Sequence, residues 1–338
     1  MSEAEGSIRK LQYTGKSSYS VNLPKSWVES LGLKPQDSLV VEEEGSSLRI
    51  TPLKQSAPLA HQVDFIVSGE STGTIVRRVI SAYLAGCETI RILPNSGRLN
   101  ASFKDELKSK ISARMIGFEV IEDSLKELTF QALVTRPQVD IFTLVRRMYF
   151  ISYNMLQEAV SSIIQKDKEE ASSVIKVDDD MDRFHFYGVR TLNQAVDNPS
   201  LLKDTGLNYR SEAVMMKTIV KSIERIADHA VAIAGLVFSD ASISADEADF
   251  IKNETAQVSK MYEDSVTSFF KIDGNKAEEA LVEHEEAKKR RSQYSRDSKS
   301  SFGLVLEHVR RVSDYSADIC ETVIDLSIAR AMRRAKEF

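Results

Sequence analysis

Short apolar segments separated by turn residues in the first fifty residues predict β-strands, and residues 19–23 alternate apolar and polar with a period of two. The strands are predicted at residues 8–13, 19–23, 38–42 and 47–51. Pro24 ends the second strand, and a short helix is predicted from Pro24 to Leu31, closed by Gly32. This ββαββ segment has little apolar surface for a core of its own, so dimerisation would supply the missing burial.

Strands and amphipathic helices alternate in the next part of the chain, between residues 62 and 136. The strands are predicted at residues 63–67, 89–93, 118–121 and 128–133, and the helices at residues 72–85 and 102–115. Gly86 and Gly117 follow the two helices as stop signals. The pattern predicts a small α/β domain at residues 62–136.

From Val139 onward the spacing of apolar residues is helical. The apolar stripe of the first helix consists of Ile141, Leu144, Val145, Met148, Ile151 and Met155. Further helices are predicted at residues 168–195, 209–238, 244–271, 275–295 and 299–335. Six long helices indicate two three-helix bundles, at residues 139–238 and 244–336, so the whole chain is predicted to be a multidomain α+β protein.

An internal repeat supports this division of the helical part. The segment from Val220 to Ala230 is similar in pattern to the segment from Leu306 to Ser316, at an offset of about 86 residues. Each repeat would cover its apolar face partly within its own bundle and partly against the other.

Composition narrows the class of protein. The 338 residues predict two or three domains, and 45 Lys and Arg against 50 Asp and Glu give a net charge of −5. Any binding of nucleic acid must therefore be local. The start of the chain is polar and acidic, no long apolar run occurs, and Cys87 and Cys320 lie far apart. These features favour a cytoplasmic protein without disulfides or membrane-spanning helices.

Basic residues gather at one end of the first segment, before the acidic run of residues 42–44. Residues 9–16, 20–27 and 31–37 resemble the AbrB/SpoVT-type swapped-hairpin domain, with Gln36 where family members usually have glycine. The resemblance covers residues 1–54. It implies a homodimer with intertwined chains, a swapped-hairpin β-barrel, and double-stranded DNA as the ligand.

The resemblance also implies a basic surface that lies on the DNA. The candidate DNA-binding residues are Arg9, Lys10, Lys16, Asn22 and Lys25. Contacts from the basic side chains to phosphates would give an affinity that falls with salt, and Arg9 or Asn22 would contact base edges. The alternative is that these charges only keep the domain soluble.

Four acidic residues form two pairs with helical spacing. Asp178 and Asp182 are four residues apart on one predicted helix, and Glu224 and Asp228 are four apart on the next. Each pair flanks an apolar stripe, so we expect the pairs to converge. Carboxylates that lie close together repel one another unless a cation or a proton lies between them. Oxygen ligands of this kind suit Mg, Mn, Fe or Zn, and the residues do not show which of these metals is bound. His185 would add a nitrogen ligand; the alternative is a solvated acidic face.

The acidic motifs also carry a second resemblance. Residues 177–183 and 223–230 resemble the Glu/Asp-x-x-x-Asp signatures of PhoU, a regulator of phosphate uptake built from two three-helix repeats; the likeness spans residues 139–335. It implies a metal ion in the first repeat. In the second repeat His284, Lys288 and Arg310 stand where acids are expected, and only Asp314 is retained.

The two resemblances together are those of archaeal phosphate-uptake regulators. They imply a non-enzymatic transcriptional regulator of phosphate uptake, whose helical part senses a ligand or binds a partner such as a phosphate-transporter ATPase or a related phosphate-signalling protein. One alternative is a PhoU-like adaptor that inhibits that ATPase without specific DNA binding. A carboxylate-bridged metalloenzyme is disfavoured, because only Asp182-x-x-His185 approaches the Glu-x-x-His pattern of di-iron proteins. His229 and His308 are expected on the bundle surface or in the helical seam rather than as ligands.

Overall fold

The computed structural model describes residues 8–15, 18–44, 47–53, 62–239, 242–292 and 300–334. The chain forms two compact units, residues 1–61 and 62–338. The protein is a mixed α+β chain, with small N-terminal β-sheets and a helical C-terminal region.

The N-terminal unit has the predicted ββαββ order. Its elements are β1 (Gln12–Thr14), β2 (Ser18–Ser20), α1 (Lys25–Ser30), β3 (Leu39–Glu44) and β4 (Ser47–Pro52). The first two strands are shorter than predicted. Because β1 pairs with β2 only from Gln12 to Thr14, residues 8–11 have no neighbouring strand in this sheet to hold them extended.

The strands of this unit form two separate antiparallel sheets, one of β1 and β2 and the other of β3 and β4. A closed barrel is not formed by the described residues of the single chain. No residue of this unit whose side chain the structure describes is buried. The large apolar side chains that remain exposed are Ile8, Leu11, Tyr13, Tyr19, Val21, Leu31, Val41, Leu48 and Leu53. The unit therefore lacks a hydrophobic core within one chain, as far as the structure describes it.

The turn before β3 is left-handed at Gln36, whose φ is 80°. The Asp37 carboxylate accepts a hydrogen bond from the Lys34 backbone N–H at 2.7 Å, and the Asp37 N–H donates to the Lys34 carbonyl at 3.1 Å. The turn thus keeps the geometry that glycine favours although a side chain is present. A non-glycine residue in this conformation costs about 1–2 kcal/mol.

The second unit begins with a four-stranded sheet and two helices. These are β5 (Gln62–Val67), α2 (Thr72–Leu84), β6 (Thr89–Pro94), α3 (Ala101–Arg114), β7 (Phe118–Asp123) and β8 (Leu128–Ala132). The strand order is β5-β6-β8-β7, with β5 parallel to β6, and β8 antiparallel to β6 and β7. Side chains of both helices and the sheet share one apolar cluster that includes Ile75, Val79, Ile90, Leu107 and Phe130.

Each of the six long helices that the sequence predicts is present. They are α4 (Ile141–Gln165), α5 (Lys168–Asp197), α7 (Arg210–Gly235), α8 (Ala245–Lys271), α9 (Gly274–Ser292) and α10 (Ser301–Arg334). The sequence did not predict the short α6 (Pro199–Asp204) or the 3-10 turn Leu236–Phe238. Asn198 ends α5 and caps α6, accepting a hydrogen bond from the Ser200 N–H at 3.0 Å.

The helices α4, α5 and α7 pack on one another, as do α8, α9 and α10, and α7 also packs along α10. One continuous apolar cluster extends through all six. A buried ion pair joins the start of α7 to the end of α10, because Arg330 donates to both carboxylate oxygens of Glu212, at 2.8 and 3.2 Å. None of the described helices combines the length and apolar character needed to cross a bilayer.

Arg190 of α5 joins the helices to the end of α2. Its side chain is buried and donates hydrogen bonds to the carbonyls of Tyr83, Gly86 and Cys87, the last at 2.9 Å. Asn193 donates to the Leu84 carbonyl at 2.8 Å. The last carbonyls of a helix have no partner within it, and a cation there is favoured by the helix dipole. Arg190 therefore caps α2 from a neighbouring helix.

We expect Arg190→Met to destabilise the second unit by about 3 kcal/mol, because it leaves buried carbonyls at the end of α2 without donors. Urea denaturation followed by far-ultraviolet circular dichroism measures the change. The control is Arg136→Met, which removes an exposed arginine that lies 3.6 Å from Asp204, and it should cost less than about 0.5 kcal/mol. Equal losses in the two variants would contradict the capping role.

Gln36→Gly should stabilise the N-terminal unit by about 0.5–1 kcal/mol, since glycine adopts a positive φ without steric cost. The single tryptophan, Trp27, lies in this unit, so its fluorescence follows the melting of this unit alone. Ser38→Gly is the matched control, because Ser38 does not have a positive φ and should lose stability on the same change. A lower melting temperature for Gln36→Gly would show that the turn is not strained.

Candidate functional site

The carboxylates predicted to converge lie along the border between α5 and α7. The apolar residues Val174 and Met181 of α5, and Ile223 and Ala227 of α7, are fully buried in the core. The acidic residues stand next to this stripe on each helix, as their spacing predicts. The packing of the two helices therefore brings the acidic pairs together.

Three of the predicted ligands form a compact group. Asp182 and His185 lie one turn apart on α5, and Glu224 faces them from α7. One potential ligand atom from each of these three residues lies within 4.8 Å of the other two. Asp178 and Asp228 are close enough to affect the ionisation of this group. In the described part of the chain this is the one cluster of three or more such side chains.

His185 presents an unpaired nitrogen to the acidic residues. The side chain is 9% exposed, and its Nδ1 lies 3.5 Å from Oε1 of Glu224 without forming a hydrogen bond. Burial lowers the pKa of His185 to about 3, helped by nearby Lys221 and Arg225, so the imidazole is neutral at pH 7. A buried polar atom without a partner is uncommon and suits a nitrogen that ligates a metal ion.

Three carboxyl groups of the site have raised pKa values. Burial raises the pKa of Asp178 to about 6, with a further contribution from the charges of Asp228 and Glu224. Burial and the charge of Asp178 likewise raise the pKa of Asp182 to about 6. The pKa of Asp228 is raised by burial and by Glu224. A divalent cation at this place would relieve the repulsion between these carboxylates.

Three basic side chains that were not expected at the site contact these acids. Nζ of Lys221 lies 2.7 Å from both carboxylate oxygens of Glu224, and Arg225 donates to Asp228 at 3.0 Å. Arg114 of α3 approaches Asp182, with Nε 3.4 Å from Oδ2. The spacing of Lys221 and Arg225 from the acids was visible along α7. The approach of Arg114 depends on the packing of α3 against α5.

The second repeat has a different arrangement. His284 is buried, its Nδ1 lies 2.7 Å from Oγ of Ser313, and its Nε2 lies 3.8 Å from Oδ1 of Asp314. Arg311 also lies 3.5 Å from Asp314. Asp314 thus has basic neighbours rather than a set of acidic ones. No group of three metal-ligating side chains is found among the described residues of this repeat.

Of the two placements expected for His229 and His308, the structure has the seam, where the two rings face each other. Nδ1 of His229 on α7 lies 2.8 Å from Nδ1 of His308 on α10. Burial and His308 lower the pKa of His229 to about 4, so that one neutral ring can donate to the other. The pair is one of the polar contacts between α7 and α10.

The candidate DNA-binding residues that the structure describes are all exposed. Arg9 and Lys10 precede β1, Asn22 follows β2, and Lys25 begins α1. Nζ of Lys25 lies 3.6 Å from Glu29, but the Lys25 side chain is 88% exposed. Lys16 lies outside the described residues. The described side chains are thus accessible to a ligand of the N-terminal unit.

Two parts of the chain match models of known families. Residues 145–237, which lie within the first helical repeat, match the PhoU domain. Residues 12–58 match the family described as antidote-toxin recognition MazE, bacterial antitoxin. A comparison of the sequence with curated proteins finds no match.

Solved PhoU structures are similar to about half of the chain. The crystal structure of the phosphate transport system regulatory protein PhoU from Streptococcus pneumoniae has 17% identity and a TM-score of 0.45, covering 54% of this chain and 91% of that one. PhoU from Pseudomonas aeruginosa has 17% identity and a TM-score of 0.36, covering 54% and 93%. By its family matches, the chain carries a PhoU domain at residues 145–237 and a MazE/AbrB-like antitoxin domain at residues 12–58.

Proposed function

We propose that the protein is a dimeric, DNA-binding regulator of phosphate uptake, in which the helical unit acts as the sensor. The observation that carries this proposal is the presence of both domains in one chain: a PhoU domain, which supports a role in phosphate regulation, and a MazE/AbrB-like domain, which is compatible with DNA binding. A regulator of this kind needs no catalytic group of its own.

Dimerisation is proposed from the missing core of the N-terminal unit. Its exposed apolar residues, such as Leu11, Tyr13 and Leu48, need a second surface to cover them. A second copy of the chain offers the same strands, and an exchange of hairpins between two copies would close the sheets into the swapped-hairpin barrel. This arrangement would give the unit the core that the described residues of one chain lack.

The proposed DNA surface is formed by Arg9, Lys10, Lys16, Asn22 and Lys25 of both copies. The four basic side chains would contact phosphates, and the Asn22 amide would supply a donor and an acceptor for base edges. A dimer would double the number of charges and present them with two-fold symmetry, as DNA half-sites require.

We also propose that Asp182, His185 and Glu224 bind a metal ion, with Asp178 and Asp228 as further ligands or as balancing charges. The unpaired Nδ1 of buried His185 and the raised pKa values of the neighbouring carboxyls support this site. One nitrogen and several carboxylate oxygens suit Fe, Zn or Mn better than Mg, which prefers oxygen alone.

A ligand in the helical unit can alter DNA affinity only if it favours one arrangement of the dimer over another. Couplings of this kind are typically about 1–3 kcal/mol. The second candidate function, favoured by the PhoU match, is an adaptor that binds a phosphate-transporter ATPase, with the N-terminal unit used only for dimerisation. Substitution of the basic residues separates the two functions.

The fourfold variant Arg9→Ala, Lys10→Ala, Lys16→Ala, Lys25→Ala should bind mixed-sequence duplex DNA at least about tenfold more weakly. The plot of log affinity against log salt concentration should also become less steep, by about 0.9 for each phosphate that the variant no longer neutralises. Fluorescence anisotropy over a series of KCl concentrations measures both quantities on the full chain, and light scattering checks that the dimer persists.

The control variant loses the same charge from exposed lysines of the second unit. It carries the substitutions Lys126→Ala, Lys168→Ala, Lys176→Ala and Lys203→Ala. This variant should bind DNA as the unmodified protein does. If the two variants bind DNA equally well, the proposed DNA surface is wrong, and if the unmodified protein binds no DNA at low salt, the adaptor function is favoured.

Metal affinity should increase with pH between about pH 5 and pH 7, because Asp178 and Asp182, whose pKa values are raised to about 6, must lose their protons to bind a cation. In the metal-free protein the same raised pKa values make ionisation destabilising. The melting temperature of the metal-free protein should therefore fall as the pH rises from 3.8, the ordinary pKa, to about 6. The Asp178→Asn, Asp182→Asn variant is the reference, because it lacks these two ionisations. Titration with Zn²⁺ and Mn²⁺ and elemental analysis measure binding.

Variants in the two repeats test where the metal binds. Asp182→Asn should abolish the bound metal, whereas Asp314→Asn, in the second repeat, should leave the metal content unchanged. An equal loss in both variants, or an affinity that does not change with pH, would contradict a site at Asp182, His185 and Glu224.

A further inference from the structure

A groove in the second unit lies between α2, α5, α7 and α10. Its volume is about 930 Å³, and His185 of the carboxylate cluster lines it from α5. Lys217, Lys221 and Arg225 of α7 also line it. The groove therefore adjoins the proposed metal site but contains a different set of charged groups.

The three basic residues of the groove are spaced four residues apart, so they lie on one face of α7. Asp318 of α10 is the one carboxylate that lines the groove in the described part of the chain. Lys221 and Arg225 are paired with Glu224 and Asp228 beside the groove, so Lys217 is the cation of the row whose charge these acids do not balance. A concave surface of one sign attracts ions of the other.

Lys217 is the cation of this row that has no acidic partner. Its Nζ donates a hydrogen bond to Oδ1 of Asn193 at 3.2 Å, and no carboxylate lies at ion-pair distance among the residues that the structure describes. The Asn193 side chain holds Lys217 at the edge of the groove. The Nζ group keeps donors available for an anion.

The other two cations are shared with the carboxylate cluster. Lys221 contacts both oxygens of Glu224, and Arg225 contacts Asp228. A divalent ion bound by these acids would compete with Lys221 and Arg225 for the carboxylate oxygens. Their donors would then be free to bind an anion in the groove, so binding of the cation and binding of the anion would favour each other.

We propose that Lys217, Lys221 and Arg225 form a binding site for a phosphate-type dianion, either free phosphate or the phosphate group of a small molecule. Planar guanidinium and flexible ammonium groups together suit a phosphate. The apolar side chains of Leu84, Val189 and Val214 also line the groove and leave room for an organic part. The coupling to a metal ion rests on the proposed function; the anion site itself does not.

The test is calorimetric titration of the full chain with inorganic phosphate, in metal-free buffer and after loading with Mn²⁺. Saturable binding is expected in both, with an affinity at least about tenfold higher in the loaded protein. An absence of saturable phosphate binding in both conditions would overturn the anion site. Equal affinities in both conditions would overturn the coupling.

Lys217→Gln is the decisive variant, because Lys217 is exposed and its replacement should not disturb the fold. It should weaken phosphate binding about tenfold, since a charge-assisted hydrogen bond is removed. The control is Lys176→Gln, which removes an exposed lysine of α5 that does not line the groove. If Lys217→Gln and Lys176→Gln bind phosphate alike, the proposed site is wrong.

A parallel titration with adenosine monophosphate separates the two sources of the phosphate group. Tighter binding of the nucleotide, reduced by Val214→Asp, supports a small molecule that uses the apolar wall. Tighter binding of inorganic phosphate supports the free ion.

A measurement of the Mn²⁺ bound to the loaded protein separates a failure of the metal site from a failure of the anion site. If Mn²⁺ binds but phosphate does not, the anion site fails and the metal site stands. If phosphate binds but Mn²⁺ does not, the metal site fails and the anion site stands.

Discussion

The packing of α5 against α7 is the constraint on which the site depends. The two helices are joined through apolar residues such as Met181 and Ile223, and burial of these side chains stabilises the contact. The acids next to this stripe are carried into a partly buried position where they repel one another. The raised pKa values of Asp178 and Asp182 express the cost of this arrangement. The proposed metal site rests on this electrostatic repulsion together with the unpaired Nδ1 of His185.

Two arginines join the α/β layer to α5. Arg190 of α5 caps the end of α2, and Arg114 of α3 approaches Asp182 of α5. Both contacts join segments that are far apart in sequence, and both lie within the single compact unit of residues 62–338. The groove between α2 and α7 exists because the layer is held against the helices in this way. The small α/β domain thus forms part of the wall of this groove.

The N-terminal unit differs from the second unit because its described residues form no buried core. Its described residues form paired strands and a short helix, but no side chain that the structure describes there is buried. Hydrogen bonds between strands determine this local structure, whereas a stable arrangement needs apolar surface removed from water. The exposed Tyr13 and Leu48 are the observation on which the proposal of a dimer rests.

The sequence by itself determined the order of the elements, because a period of two or of three to four residues and the Gly and Pro signals act locally. It also placed Asp182, His185 and Glu224 on neighbouring helices with the correct spacing. Only the tertiary structure decided that Glu224 lies 3.5 Å from Nδ1 of His185, that this nitrogen has no hydrogen bond, and that Arg114 of α3 reaches Asp182. These features depend on side-chain contacts between elements that are distant along the chain, and such contacts leave no periodic signal in the sequence.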